Sequence, residues 1–307
     1  MIYTVTLNPG VDHTLTVPVI DFNQVLRASK VQRDCGGKGF NVSRSLKLLG
    51  LDTTALGFIG GDTGHWEEKA LQSFGIATDF DVIKGDTRTC VVVIETESGK
   101  HVKVNEPGPI ISDVEMERFS RHVRSLARQG DYWAFCGSLP PGIPKDFYAR
   151  LIEIVQSKGA RACLDASQEA LRLGIQAKPF LVKPNREEAV DLTGLLIRSD
   201  ADYQKAALFF LNEGINFVAL SLGAQGLYFC STHNAVLVKP PEVVSRNPVG
   251  PGDALLGGLL FAICQGMPFV DIARWGVACG TMAVCMDGTN FRPYADVKEM
   301  VDQLAVE

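Results

Sequence analysis

The chain has 307 residues, of which 46% are hydrophobic and 21% are charged. This composition is typical of a globular protein with a sizeable core, and it excludes a largely disordered chain, which would need low hydrophobicity and high net charge. The formal net charge is −5, so the whole chain has no electrostatic attraction to nucleic acid or to an anionic membrane. We expect neither as a partner, and an anionic substrate would need a local cluster of cations.

Short apolar runs alternate with helical patterns along most of the chain. The runs at residues 2–7, 54–59, 132–136, 160–165, 180–183 and 217–222 are predicted strands. Several carry apolar residues at both odd and even positions, which is expected of parallel strands covered on both faces. Between them, Val42, Leu46 and Leu49 recur at helical spacing, and Ser112 with Glu115 forms a capping box. The order predicts an α/β layered fold with a mostly parallel sheet.

Two segments, at about 11–34 and 87–105, show strand-like alternation without helices. Both are predicted to form antiparallel hairpins. They could extend one edge of the main sheet, or they could form a small β-sheet lid over a site at the carboxyl ends of its strands.

The eight cysteines include no Cys-x-x-Cys pair and lie mostly in apolar stretches. This pattern favours buried free thiols in a reducing compartment. The first residues lack the basic and apolar regions of a signal peptide, and the longest apolar stretch, 254–264, is too short to span a bilayer. We therefore expect a cytoplasmic protein.

Segment 247–254 reads Asn-Pro-Val-Gly-Pro-Gly-Asp-Ala and opens an apolar helix. Glycines and unpaired N–H groups at a helix start allow close approach of an anion. The alternative is a Gly-Pro turn with an aspartate cap.

Segment 35–41, Cys-Gly-Gly-Lys-Gly-Phe-Asn, has neither Walker A nor Rossmann spacing. It is either a tight turn or a backbone surface for a polyhydroxy ligand, with Asn41 as a hydrogen-bonding group.

Segment 183–188, Lys-Pro-Asn-Arg-Glu-Glu, follows a predicted strand. Asn185 and Glu188 would share one face of a first helical turn, where they could organise Mg²⁺. Taken alone, the pair is better explained as a helix cap. Segment 221–226, Ser-Leu-Gly-Ala-Gln-Gly, fits a nucleotide phosphate or a plain turn. The five histidines show no metal-ligand spacing, and a Gly-x-Ser-x-Gly nucleophile motif is absent.

Taken in order, the motifs resemble those of the ribokinase-like sugar kinases, specifically the phosphofructokinase B group. The matching segments are 6–12, 36–42, 87–88, 137–140, 183–188, 221–223 and 250–253. The resemblance is nearest to two subgroups. Segment 105–109, Asn-Glu-Pro-Gly-Pro, is similar to the 1-phosphofructokinases, and segment 247–250 to the tagatose-6-phosphate kinases. The resemblance implies a single ribokinase-like α/β domain over residues 1–307, with the lid inserted at about 11–34 and 87–105.

The resemblance also implies an ATP-dependent, Mg²⁺-requiring kinase with Asp253 as catalytic base. Backbone N–H groups of Gly250 and Gly252 would stabilise the transferring phosphoryl group. The implied nucleotide-binding residues are Lys183, Asn185, Ser221, Gly223 and Gly226, with Asn185 and Glu188 organising Mg²⁺ through water. The implied sugar-binding residues are Asp12, Gly37 and Asn41. Arg27, Arg88 and Ser138 would bind the phosphate already on the substrate, and Lys38 would add positive charge.

The implied reaction converts fructose 1-phosphate to fructose 1,6-bisphosphate, with tagatose 6-phosphate and fructose 6-phosphate as alternative substrates. A homodimer clasped through the lids is the implied assembly. One rival is a catalytically weak sugar-phosphate-binding protein on the same fold. A second rival, a dinucleotide-dependent dehydrogenase, is disfavoured because the Rossmann fingerprint is missing.

Two departures from the family pattern concern the motif at 250–254, where Pro251 replaces an alanine and Ala254 a serine. Proline has no N–H, so one potential donor to the phosphoryl group is missing. A third departure is Cys136, at a position where serine is common. From its place at a helix start, we expect Asp253 to stay ionised and to be a weak base.

Overall fold

The computed structural model describes residues 1–245, 250–286 and 290–305. The strands are β1 Ile2–Thr6, β2 Gly10–Val17, β3 Lys30–Asp34, β4 Thr54–Ile59, β5 Ala77–Thr78, β6 Asp81–Val82, β7 Arg88–Glu95, β8 His101–Asn105, β9 Tyr132–Cys136, β10 Arg161–Asp165, β11 Leu181–Val182, β12 Phe217–Ser221, β13 Leu227–Cys230 and β14 Ala235–Val238. The helices are α1 Lys38–Leu48, α2 Gly61–Ser73, α3 Asp113–Leu126, α4 Phe147–Gln156, α5 Gln168–Gly174, α6 Arg186–Thr193, α7 Asp200–Asn212, α8 Pro251–Cys264, α9 Phe269–Val284 and α10 Tyr294–Gln303.

A large sheet forms the centre of the fold. Its strand order is β14-β13-β12-β11-β10-β9-β1-β4-β5, and β6 also pairs with β4. Pairing is parallel from β12 through to β5, whereas β13 and β14 are antiparallel. All six strands predicted from apolar runs are present, so the predicted mostly parallel sheet is confirmed.

Helices cover both faces of this sheet. Trp133 and Phe135 of β9 pack in the same core as residues of α3, α4 and α7. Ala134 and Cys136, at the alternate positions, pack with α1, α8 and α9. Burial of both faces explains why the strands are apolar at odd and even positions alike.

A separate four-stranded sheet has the order β3-β2-β7-β8. Both hairpins, β2–β3 and β7–β8, are antiparallel as predicted. The two hairpins are joined by a parallel pair, β2 with β7, which the sequence pattern did not predict. Apart from Gly10, these strands fall within the segments predicted to form the lid. The lid contacts α2, where the guanidinium carbon of Arg33 lies 4.5 Å from the ring centroid of Trp66.

The carboxyl ends of the parallel strands meet at one edge of the large sheet. Thr6, Cys136, Asp165 and Ser221 are the last residues of β1, β9, β10 and β12, and Lys183 follows β11. This edge is where ligands bind in open α/β sheets. All eight cysteines are free thiols, six of them buried. None of the described helices has the length and apolar character needed to cross a membrane.

Candidate active site

Asp253 lies in the first turn of α8 and is 6% exposed. The side-chain amide of Asn41, on α1, donates a hydrogen bond of 2.8 Å to its Oδ2. The other polar atom of that amide, Asn41 Oδ1, is buried and has no partner within the described residues. The predicted base and one predicted sugar-binding residue are therefore in direct contact, although nothing in the spacing of their motifs pairs them.

Burial raises the pKa of Asp253 to about 6, while the positive charge of Lys38 and the Asn41 hydrogen bond act in the opposite direction. The carboxyl remains mainly ionised at pH 7, as predicted. It is nevertheless a stronger base than a helix start alone would make it, because burial disfavours the charged form. The sequence does not reveal the burial that causes the difference.

Asp165, at the end of β10, is fully buried between two cations. Its Oδ1 lies 3.1 Å from Lys38 Nζ and its Oδ2 lies 3.2 Å from Lys183 Nζ. Burial alone would raise the pKa of Asp165, but Lys183 and Lys38 hold it below its usual value. The same ion pair raises the pKa of Lys38. Asp165 thus fixes two lysines of the candidate site, and sequence reasoning missed it because a single aspartate at a strand end carries no motif.

The amino end of α8 presents backbone N–H groups to the same region. Gly250, with φ at 95°, precedes the helix in a left-handed conformation that favours glycine. The first hydrogen bond within α8 is donated by the Ala254 N–H to the Gly250 carbonyl, at 2.9 Å. The N–H groups of Gly252 and Asp253 therefore lack helical acceptors. A Cβ on Gly252 would lie 3.5 Å from Lys183 Nζ, so the lysine is next to this helix start. Asn247, Pro248 and Val249 of the motif lie outside the described residues.

The glycine loop before α1 packs against the lid strand β2. A Cβ on Gly36 would lie 2.1 Å from the Gly10 carbonyl and 2.9 Å from Asp12 Oδ2, so only glycine permits this approach. Burial raises the pKa of Asp12, although Lys103 Nζ lies 3.5 Å from its Oδ1 and opposes the shift. Gly37 then caps α1, the helix that carries Lys38 and Asn41. The predicted sugar-binding residues thus occupy one continuous region.

Two of the candidates for the substrate phosphate meet at Asn8. Arg88 donates from Nη2 to the Asn8 carbonyl at 2.9 Å, and Asn8 Nδ2 donates to Ser138 Oγ at 3.3 Å. Arg88 also donates to the carbonyls of Glu106 and Pro9. Arg27 is exposed between β2 and β3, and within the described chain no hydrogen bond or ion pair connects it to this cluster. The role of Asn8 in joining Arg88 to Ser138 was not predicted.

A cavity of about 770 Å³ lies beside the start of α8. Four of the predicted nucleotide-binding residues line it: Asn185, Ser221, Gly223 and Gly226. Further walls come from Pro240 to Val243 and from α9, including Val277 and Gly280. The α9 residues were not predicted, because an apolar helix face gives the same sequence pattern whether it packs in a core or lines a cavity.

Asn185 and Glu188 form the capping box that the sequence favoured over a metal site. Asn185 Oδ1 accepts from the Glu188 N–H at 2.8 Å, and Glu188 Oε2 accepts from the Asn185 N–H at 2.9 Å. Burial raises the pKa of Glu188. Capping engages the single side-chain oxygen of Asn185 and one of the two oxygens of Glu188. It leaves Glu188 Oε1 without a hydrogen-bond partner in the part of the chain that the structure describes.

The sequence matches the pfkB family of carbohydrate kinases over residues 6–295. The chain belongs to this family. A 1-phosphofructokinase from Bacillus subtilis (strain 168) is 34% identical over 307 residues, which cover 100% of this chain and 98% of the relative. Escherichia coli phosphofructokinase-2 in complex with fructose-6-phosphate superposes with a TM-score of 0.91 at 29% identity, covering 98% of both chains. Its tetrameric inhibited form gives a TM-score of 0.92 at 30% identity, again over 98% of both.

Membership of the pfkB family makes this chain a sugar-phosphate kinase with a ribokinase-like fold, as the motif series indicated. A kinase must bring a nucleotide, an acceptor hydroxyl and a base together. The edge of the large sheet brings together the cavity, the α8 start with Asp253, and the Gly36–Asp12 region.

Proposed function

We propose that the chain transfers the γ-phosphoryl group of ATP to fructose 1-phosphate, giving fructose 1,6-bisphosphate. The observation that carries this proposal is the position of Asp253. It lies at a helix start, bonded to Asn41 on the sugar side and next to the nucleotide-sized cavity on the other. The full-length similarity to a 1-phosphofructokinase supports the 1-phosphate. Fructose 6-phosphate, which binds to E. coli phosphofructokinase-2, and tagatose 6-phosphate are the alternatives.

In the proposed reaction Asp253 accepts the proton of the acceptor hydroxyl as its oxygen attacks the γ-phosphorus. The bond from that phosphorus to the β,γ-bridging oxygen breaks, and ADP leaves with the electron pair. The N–H groups at the start of α8 and the ammonium of Lys183 stabilise charge on the transferring group. Asp165 keeps Lys183 and Lys38 in place by pairing with both. The remaining candidates, Asp12, Gly37, Asn41, Arg88 and Ser138, orient the sugar phosphate.

Mg²⁺ would fit beside Glu188. The free Oε1 of Glu188, and the oxygen chemistry of Asn185 and Glu188, match a cation that prefers oxygen ligands and keeps several waters. When bound, Mg²⁺ would neutralise charge on the nucleotide phosphates. Because both side chains also cap α6, we expect them to act on the ion through water rather than as a closed set of ligands.

A coupled ADP-release assay over a panel of sugar phosphates tests the proposal. We expect the highest kcat/KM with fructose 1-phosphate and little turnover of free fructose. A higher kcat/KM with fructose 6-phosphate or tagatose 6-phosphate would transfer the proposal to that substrate. Binding of sugar phosphate without ADP release would favour the second candidate, a catalytically weak binding protein. That candidate is motivated by the missing N–H at Pro251.

We also propose that two copies associate through the lids. The strand register places Val31, Leu15, Val93 and Val102 in one row across the lid sheet. This row is on the opposite face from Asp12, because side chains alternate along a strand. Val31 is 58% exposed and Val102 is 44% exposed, so the outer face of the lid is an apolar surface that a second lid would cover.

Light scattering tests this association. A double variant with Val31→Glu and Val102→Glu should be monomeric, whereas Val82→Glu, at an exposed valine on β6 of the main sheet, should behave as the wild type. A monomeric wild type would contradict the proposal.

We further propose a cytoplasmic location, in keeping with eight free thiols.

A further inference from the structure

Glu67 lies in the middle of α2 and is 0% exposed. It belongs to none of the motifs described above. Glutamate is rarely buried completely unless it is paired, and in the part of the chain that the structure describes Glu67 forms no ion pair. A fully buried carboxyl without a cation therefore needs an explanation.

The contacts of Glu67 are made with the loop that precedes α1. The backbone N–H of Gly36 donates to Glu67 Oε1 at 3.3 Å, and the Cys35 thiol faces the Glu67 carbonyl at 3.8 Å. The other carboxyl oxygen, Oε2, is buried and has no partner within the described residues. Burial raises the pKa of Glu67 well above its usual value, Asp12 raises it further, and the Gly36 N–H and Arg88 act against the shift. Burial thus favours the uncharged form of this side chain.

Gly36 is held from the opposite side by the lid strand β2. Its carbonyl accepts a hydrogen bond of 3.1 Å from the Gly10 N–H. The Asp12 carboxylate is so near its Cα that a Cβ there would lie 2.9 Å from Oδ2. Gly36 is thus fixed between α2 and β2, one residue before the cap of the helix that carries Lys38 and Asn41. A displacement of this peptide would move the surface that faces Asp12.

We propose that Glu67 is a positioning residue for the sugar end of the site, and that it acts by holding the Gly36 amide so that the loop stays against Asp12. This rests on the proposed sugar-binding role of Asp12 and the Gly36–Gly37 loop. An uncharged side chain suits the position, because a second carboxylate there would repel both Asp12 and a phosphorylated substrate.

Three variants test the proposal, using the sugar phosphate that the wild type turns over best. Glu67→Gln keeps a neutral acceptor for the Gly36 N–H, and KM for both substrates should stay within about twofold of the wild type. Glu67→Met keeps the length of the side chain but leaves that N–H without a partner. We expect about a tenfold rise in KM for the sugar phosphate, with KM for ATP unchanged. Glu68→Met, the same change at the next residue, should alter neither KM.

An unchanged sugar-phosphate KM in Glu67→Met would overturn the proposal, as would an equal rise in both KM values. A Glu67→Gln variant that behaves like Glu67→Met would also overturn it. Should Glu67→Met fail to fold by circular dichroism, Glu67→Asp takes its place. It retracts the carboxyl by one methylene and should raise the KM for the sugar phosphate alone, and a wild-type KM there would equally overturn the proposal. An error in the substrate assignment would appear separately, in the wild-type panel.

Discussion

The side-chain amide of Asn41 donates to the Asp253 carboxylate across 2.8 Å, although the two residues are 212 positions apart in the sequence. The contact joins the helix that begins at the glycine loop to the helix that carries the base. Any shift of the sugar-side loop is thus passed directly to the carboxylate that accepts the proton.

Asp253→Asn should keep the fold and nucleotide binding but lower kcat by roughly 10²-fold or more, the range typical of positioned acid–base groups. The amide is nearly isosteric with the carboxylate but cannot accept the hydroxyl proton. Steady-state kinetics give kcat, and a fluorescent nucleotide titration gives nucleotide affinity. Near-wild-type kcat in a folded variant would remove Asp253 from the role of base.

The rate should fall at acidic pH because Asp253 must be ionised to act. With a pKa raised to about 6, kcat/KM should drop as pH falls through about 6, by tenfold for each further pH unit. Asn41→Ala removes a hydrogen bond to the charged form and should move this decline to higher pH. The substrate phosphate also titrates near pH 6, so the residual activity of Asp253→Asn serves as the control. If Asp253→Asn shows the same decline in kcat/KM, the decline reflects titration of the substrate phosphate.

Arg88→Ala should raise KM for the sugar phosphate by about tenfold or more, the usual cost of losing a hydrogen bond to a charged group, and leave KM for ATP unchanged. Arg88 holds the Asn8 carbonyl and still has N–H donors free for a phosphate. Arg27→Ala tests the exposed candidate separately. Unchanged KM values in Arg88→Ala, or equal use of free fructose by the wild type, would contradict the phosphate-binding role.

Pro251→Ala should raise kcat with little change in either KM. The substitution restores an N–H beside those of Gly252 and Asp253, and loss of one such donor has cost about 10²-fold in other enzymes. The gain here should be smaller, since Lys183 remains and proline stiffens the turn. A change in kcat alone marks an interaction confined to the transition state. An unchanged or lower kcat would mean that proline does not impair this enzyme.

The elements of the fold were predictable where burial leaves a local pattern. The strand at Tyr132–Cys136 was predicted at its observed bounds because both of its faces are covered. The capping box at Ser112 was predicted because its two residues lie within one turn. The parallel pairing of β2 with β7 was not predicted, since alternation along a strand shows that it has two faces but does not identify its neighbour.

The site was predictable only where a motif is continuous in sequence. Asp253 follows its glycines directly, so its place at a helix start could be inferred. Asp165 pairs with Lys38 across 127 residues, and no local pattern records such a contact. The raised pKa of Asp253 has the same origin, because it reflects burial by segments distant in the chain.

The parallel pair β2–β7 has a consequence for how the chain folds. Gly10 pairs with Arg88 and Val17 with Glu95, so this ladder closes a loop that contains α1, β4 and α2. Such long-range pairing is slow, because the entropy of loop closure is lost before the contacts form. During synthesis, some eighty further residues are added after each residue of β2 before its partner in β7 has been made. We therefore expect the lid to form after the first βαβ unit, β1-α1-β4, so that the sugar side of the site is assembled later than the strands on which it rests.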